Sequence, residues 1–496
     1  MLYRYADFVT LLNGTELHLS WIAIDGMGNN RIHAFGCDLI ANHDAVALAD
    51  LVRRGEISPV ELTEAAIARV EQVNGVLNAV QLATYERACA EAATRREGLF
   101  AGVPTLIKDN TDLRGLPTGH GSRAVPRVPA AADGVFARQY LSLGFTVLGK
   151  TTLPEFGFNC TTEHQGQPPT RNPWHTGYSC GGSSGGAAAL VAAGAVPIAH
   201  ANDGGGSIRI PAACCGLVGL KTTRGRLVDG KIARTLPIKI IAEGVLTRTV
   251  RDTAYFLAGA ERYWRNRKLP PVELVEGPAK RRLKIGLVMH SLTGVSTCSE
   301  TRTVVQRTAV LLESLGHHVD ERPYPISPSF PEDFADYWGF LAFMVSRCGH
   351  HNFGKDFDPN QVDDLTRGLA ARFRHRSWHL PRALYRLQRT FRQHAKAMQD
   401  YDLVLSPVLA HVTPELGYLS PEVPFPELFQ RMTEYVGFTP INNANGSPAI
   451  ALPMGAATNG LPIGVQLAAA HGDERTLLEI AYELEQANPW RRITDG

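Results

Sequence analysis

The sequence predicts an α/β fold. Short apolar runs of strand length alternate with longer segments of helical periodicity, loops rich in Gly, Pro and Ser separate them, and 44% hydrophobic residues over 496 positions supply a large core. That composition excludes a disordered or fibrous chain. Length suggests roughly three domains as a prior, but α/β chains often run longer as one unit, so one large domain stays open.

Residues 1–43 read as an N-terminal extension, and the folded domain is expected over 44–490. Asp7, Glu16 and His18 interrupt any apolar run at the start, so a signal peptide is not expected. Met27 is a second possible start, which would leave residues 1–26 outside the fold. Helical patterning begins near Asp44. Ser58-Pro59-Val60-Glu61 is a capping box with Pro at the first helical position, opening a helix that carries Ala66, Ile67, Val70 and Val73 on one face and stops near Asn74-Gly75. A short strand and a helix over 85–97 follow, and then a buried strand over 103–107 that ends at Lys108. The rhythm continues with a helix over 134–142, a strand over 145–148, a long loop and an Ala-rich helix over 187–193. Further on come a Thr249-capped helix to Gly259, a strand over 283–288, a helix over 300–315, strands over 403–405 and 463–467, and a helix over 474–485.

Between about 260 and 440 the chain turns more helical, aromatic and basic. Arg382, Arg386, Arg389 and Lys396 stripe one helix face and Leu384, Leu387, Phe391 and Met398 another, the pattern of a solvated amphipathic helix. Phe334, Trp338, Leu341 and Val345 also fall at helical spacing and read as core.

Fifty Lys plus Arg against forty-eight Asp plus Glu leave a formal charge of +2, too little for a dedicated nucleic-acid binder. The longest apolar stretch, 185–199, is too short to span a bilayer, so no membrane segment is expected. Eight cysteines form no CxxC pair and no zinc-type spacing, which points away from disulfides and structural metal and toward a cytoplasmic protein.

Two glycine-rich segments carry the candidate chemistry. Neither is a phosphate loop, since GxxxxGK[ST] is absent and neither spells GxGxxG between a strand and a helix. Gly181 to Gly185 matches GxSxG, the nucleophile elbow, but that motif needs a preceding strand and a His partner, and residues 175–179 do not read as a strand. In the second segment Ser207 follows Gly204, Gly205 and Gly206, whose N–H groups could converge on one oxygen. Ser207 is therefore a candidate nucleophile. It needs a base, and a lysine buried enough to lose its charge can serve; Lys108, ending an apolar strand, is suited to that.

Six motifs then occur in order: Gly102-Val-Pro-Thr-Leu-Ile-Lys108-Asp-Asn110, Gly149 to Gly157, Arg171-Asn-Pro-Trp174, Gly181-Gly-Ser-Ser-Gly-Gly186, Asp203-Gly-Gly-Gly-Ser-Ile-Arg-Ile-Pro211 and Cys215 to Lys221. Ser447 to Pro453 and Gly460 to Gln466 follow near the C-terminus. On these motifs the sequence resembles the amidase-signature hydrolases from Asp44 to Trp490, and within them bacterial amidases of the kind that includes cyclic-dimer nylon-oligomer hydrolases. The resemblance implies one domain with a mixed central sheet covered by helices, with core motifs over 102–221 and a variable, substrate-side region over about 260–440. It implies hydrolysis of a small-molecule carboxylic amide, linear or cyclic, to an acid plus ammonia or an amine, without cofactor or metal.

By the same resemblance the triad is Ser207, Ser183 and Lys108, with Ser183 after a cis peptide bond beside Gly182. The N–H groups of Gly204, Gly205, Gly206 and Ser207 hold the oxyanion, Asp203 and Arg209 hold the loop, and Ser184 bonds to nearby backbone. One departure is Gly204, where the family's residue is variable. Three rivals stand beside this reading: an ammonia-generating amidotransferase subunit working on a tRNA-charging complex, a non-catalytic binding protein on the same fold, and a Ser-His-Asp hydrolase acylated at Ser183. Trp338, Phe343 and Tyr435 are candidate pocket residues, and a homo-oligomer stays open.

Overall fold

A computed structural model describes residues 31–94, 97–323 and 326–495, and the expected alternation is organised there around an eight-stranded mixed sheet. Strands β1 (Val80–Ala83), β2 (Pro104–Lys108) and β3 (Thr146–Thr151) form a separate small sheet in the order β1-β3-β2. A two-stranded ribbon follows, β4 (Arg171–Asn172) with β5 (His175–Ser179). The large sheet takes β6 (Ile198–Asp203), β7 (Val218–Lys221), β8 (Ala242–Thr247), β9 (Lys284–Leu287), β10 (His318–Glu321), β11 (Leu403–Pro407), β12 (Ala449–Ala456) and β13 (Pro462–Ala469). Their order is β10-β9-β11-β13-β12-β7-β8-β6, with β9 parallel to both its neighbours and the remaining pairs antiparallel.

The edge strand β6 would expose unpaired backbone if it faced water. Instead β2 lies beside it, joined through side chains: Thr105 Oγ1 donates to the Ile198 carbonyl at 2.9 Å, and the Lys108 N–H to His200 Nδ1 at 3.2 Å. Both strands are buried along their whole length, and their C-terminal ends bring Lys108 next to Asn202. The helix Gly185–Ala192 is buried throughout, and its Gly and Ala residues let it pack closely there.

Local signals account for several boundaries. The capping box forms, with the Ser58 hydroxyl accepting from the Glu61 N–H and the Glu61 carboxylate from the Ser58 N–H. The helix it opens runs to Leu77, past the expected stop, because the Asn74 side chain accepts from the N–H groups of Ala79 and Val80 beyond the helix end. The next helix, Tyr85–Ala92, is shorter than the 85–97 expected. Residues 175–179, which read from the sequence as non-strand, are β5, because pairing with β4 and an Asn172 side-chain bond to the Ser179 carbonyl hold them extended.

Of the segment assigned to an N-terminal extension, residues 1–30 lie outside the described residues, whereas 31–43 run along the domain. The Ile32 and Ala34 N–H groups donate to the Pro173 and Ala193 carbonyls, Ile40 is buried, and Arg69 pairs with Asp38.

Between β10 and β11 the helix Phe330–Phe353 packs against both Asp364–Arg376 and Leu380–Ala397. The last of these buries Leu387 but leaves Phe391, expected on its apolar face, exposed against the His471 ring. Among the described residues no helix is long and apolar enough to cross a membrane.

Candidate active site

Lys108, at the end of β2, is fully buried, and its Nζ lies 2.8 Å from Ser183 Oγ, 2.9 Å from Ser184 Oγ and 2.9 Å from Asn202 Oδ1. Among the described residues no carboxylate pairs with it. Burial pulls its ammonium down to about 7, against the opposing pull of Glu243 and Asp203. Asn202 is oriented by reciprocal amide bonds with Asn110, at 3.3 and 3.2 Å, and its carbonyl accepts from the Ser184 hydroxyl at 3.2 Å.

A lowered value alone does not single out Lys108. Burial also pulls Lys221 down to about 7, but its Nζ donates to the Thr222 carbonyl at 2.7 Å and meets no serine. Lys150 is buried beside the Asp109 carboxylate at 3.2 Å. What distinguishes Lys108 is that two of its partners, Ser183 and Asn202, open on a cavity that Ser207 also lines.

The peptide bond between Gly182 and Ser183 is cis. Gly182 has no room for a side chain: a Cβ there would sit 2.8 Å from the Thr161 backbone. Ser183 is almost wholly buried, so its hydroxyl is held between Lys108 behind and the cavity in front. No histidine lines that cavity among the described residues. The elbow reading of GxSxG therefore lacks its base, even though a strand, β5, does precede the motif.

The loop after β6 is pinned by Asp203. Its carboxylate accepts from the N–H groups of Gly206 (2.7 Å) and Ile208 (3.2 Å), from Arg209 Nε and Nη2 (both 2.9 Å) and from Asn443 Nδ2 (2.8 Å). Burial alone would raise this carboxyl, but the Arg209 guanidinium overrides it and holds it well below the usual carboxylate range. Arg209, itself fully buried, also reaches the Thr439 carbonyl, Asn443 Oδ1 and Gln466 Oε1 at 2.7 to 2.9 Å. Thr439 Oγ1 donates to the Gly205 carbonyl at 2.6 Å. With the loop fixed this way, the Gly206 N–H is engaged by Asp203, while the N–H groups of Gly204, Gly205 and Ser207 and the Ser207 hydroxyl make no hydrogen bond among the described residues. Sequence patterns alone assign no role to Asn202, Thr439 or Asn443. The asparagines at 442, 443 and 445, clustered between apolar segments, are the signal available for Asn443.

The cavity holds about 190 Å³ of free space. Ser183, Asn202 and Ser207 lie on one side, and Phe156, Ile241, Phe334, Trp338, Leu341 and Met432 contribute much of the rest. Phe334, Trp338 and Leu341, which read from the sequence as core, thus form a cavity wall, whereas Val345 packs in a separate apolar cluster with Phe357. Of the other pocket candidates, Phe343 turns away to pack on Phe373, and Tyr435 is buried beneath the wall against His411. Among the described residues no group of His, Cys, Asp and Glu is arranged to hold a metal ion.

The family model for amidases matches residues 61–478. A Mycobacterium tuberculosis protein named "Putative amidase AmiC" is 49% identical over 467 residues, covering 94% of this chain and 98% of its own. The 6-aminohexanoate-cyclic-dimer hydrolase of Paenarthrobacter ureafaciens is 35% identical over 480 residues, covering 90% and 95%. A solved structure of 6-aminohexanoate cyclic dimer hydrolase complexed with substrate superposes with a TM-score of 0.82 at 32% identity, covering 91% of this chain and 98% of that one. With that extent of match in sequence and fold, the chain is an amide-hydrolysing enzyme and belongs to the amidase signature family.

Proposed function

We propose that the chain hydrolyses carboxylic amides through an acyl-enzyme on Ser207, with Ser183 as proton relay and Lys108 as base. The observation that carries this reading is the set of partners around Lys108 Nζ. A neutral amine has two N–H donors and one lone pair. Asn202 Oδ1 can only accept, and the Ser184 hydroxyl spends its proton on the Asn202 carbonyl, so both take N–H bonds from Lys108. The lone pair is left for the Ser183 hydroxyl at 2.8 Å. The same loss of hydration that lowers the lysine thus makes it a proton acceptor aimed at one serine.

In the forward step Ser207 Oγ attacks the amide carbonyl, its proton passes to Ser183, and the Ser183 proton passes to Lys108. The negative oxygen falls to the free N–H groups of Gly204, Gly205 and Ser207; because the Gly206 N–H already serves Asp203, it contributes by shaping the loop. Collapse breaks the C–N bond, and Lys108 returns its proton through Ser183 to the departing nitrogen. Water then repeats the sequence on the ester, giving the acid and freeing Ser207. Ser183 and Ser207 share the cavity without a hydrogen bond between them among the described residues, and the transfer between them needs a contact of the kind that forms only when substrate arrives. This chemistry calls for no cofactor, metal or nucleic acid, and we place the enzyme in the cytoplasm.

Hydroxylamine partitioning tests it. An acyl-enzyme gives the same ratio of hydroxamate to acid from an amide and from the matching ester, and Ser207→Ala gives neither product. Ratios that differ between the two substrates would exclude a common acyl intermediate.

A further inference from the structure

The described residues lining the cavity include no carboxylate, ammonium, guanidinium or imidazole, and the thiol among them, on Cys160, is pushed up by burial. Charges do lie nearby, but they are absent from the cavity lining and matched. Asp333 and Asp336 share a helix with Phe334 and Trp338; the first pairs with Arg386 at 3.4 Å, the second with Arg372 and Arg376 at 3.2 and 2.7 Å. Arg372 also covers the ring of Phe429, which stacks on Trp338 from outside the cavity.

Beside the nucleophile the carbon walls come to within contact of the loop. A Cβ on Gly205 would lie 3.8 Å from the Phe334 ring, and one on Gly204 would lie 3.5 Å from Ile241 Cγ1. Phe334 and Ile241 therefore flank the place where the group attached to the attacked carbonyl must lie. An apolar cavity of about 150 Å³ accepts a benzene ring, so about 190 Å³ has room for an aryl group or a short alkyl chain. A charged substituent there would lose hydration and meet no opposite charge in exchange, since the polar groups that line the cavity, such as Asn159, Thr293 and Thr433, are all neutral.

We infer that the substrate class is an uncharged, apolar carboxylic amide with an aryl or short alkyl acyl group, and that charge on that group is rejected. The inference rests on the reading that Ser207 is acylated from this cavity. It also sets the enzyme apart from one that draws ammonia from free glutamine, whose α-ammonium and α-carboxylate both call for opposite charges in the site.

Matched p-nitroanilides test it: benzoyl against 4-carboxybenzoyl, and pentanoyl against glutaryl, with ammonia release from L-glutamine measured alongside. The neutral member of each pair is expected to exceed the charged one in kcat/KM by at least about 100-fold, as when a polar group is left unpaired in a site, and glutamine is expected to be inert. Equal rates within a pair, or glutamine turnover matching the neutral anilides, would overturn it. Calorimetric binding of the same anilides to Ser207→Ala needs no turnover and should keep the same order; charged members binding as tightly, or no neutral member binding, would overturn it too. If that variant binds neutral amides selectively yet hydrolyses them at the wild-type rate, the nucleophile assignment fails and the substrate class stands. Trp338→Arg should shift preference from pentanoyl toward glutaryl, and an unshifted preference would count against the cavity as the acyl site.

Discussion

On one side of the cavity Lys108, Ser183, Ser184 and Asn202 are joined by hydrogen bonds of 2.8 to 3.2 Å, whereas on the other Phe334, Trp338 and Leu341 present large, uncharged and mainly apolar side chains. The polar face is held by strand ends and a glycine loop in which Lys108, Ser183, Ser184, Asn202 and Asp203 each have defined partners, so those positions tolerate few substitutions. The apolar face needs volume and the absence of charge, which many side chains supply. On the proposed reading, chemistry and selectivity reside in parts of the chain under different physical constraints, and substitutions on the two faces should fail differently.

The largest expected effect lies on the polar face. Ser207→Ala should reduce kcat by about 10⁴-fold or more while the protein still folds, as checked by steady-state assay and circular dichroism; retained activity would move the nucleophile elsewhere. Lys108→Met should cost about 10³-fold in kcat, with KM for a neutral amide little changed. A loss confined to KM would break the proposed division between the faces. Arg209→Met acts on stability, because it strands the Asp203 carboxylate in a buried site; unfolding by denaturant should show a loss of about 3–5 kcal/mol. On the apolar face Trp338→Ala should lower kcat/KM by about tenfold, mostly through KM and only for larger acyl groups. The smallest effect belongs to Gly204→Ala, whose Cβ would make an ordinary contact with Ile241, against Gly206→Ala, where φ is +135° and a Cβ would lie 2.4 Å from Thr439 Oγ1. The first should change activity by less than about threefold, and thermal melts should show that only the second loses stability.

The same asymmetry explains which residues are legible in the sequence. Lys108, Ser183, Ser207, Asp203 and Arg209 sit in motifs whose residue types have few substitutes, so the motifs themselves point to them. Asn202 is not legible in that way, because an amide that orients a lysine looks like any polar residue at a strand end. The Asn443 and Thr439 contacts to Arg209 span more than 200 positions, and no local pattern announces them. Phe334, Trp338 and Leu341 read as core for a related reason: helical spacing of apolar residues shows that a face is covered, not whether protein or substrate covers it. For the fold, a strand such as Pro104–Lys108, with Thr105, Leu106 and Ile107 at its centre, is legible, whereas Ile198–Asp203, with Ala, His, Asn and Asp in the middle of the protein, is not.

The most direct test of the central claim is the rate at which a fluorophosphonate labels the protein from about pH 5 to about pH 9, followed by intact mass and peptide mapping. Only the neutral lysine accepts a proton, so the rate should rise with pH and level off after an inflection near the lowered Lys108 value, about 7. The account predicts one adduct, on Ser207, with that inflection absent and labelling slow in Lys108→Met. An adduct on Ser183, or a Lys108→Met protein that labels as fast as wild type with the same inflection, would contradict it.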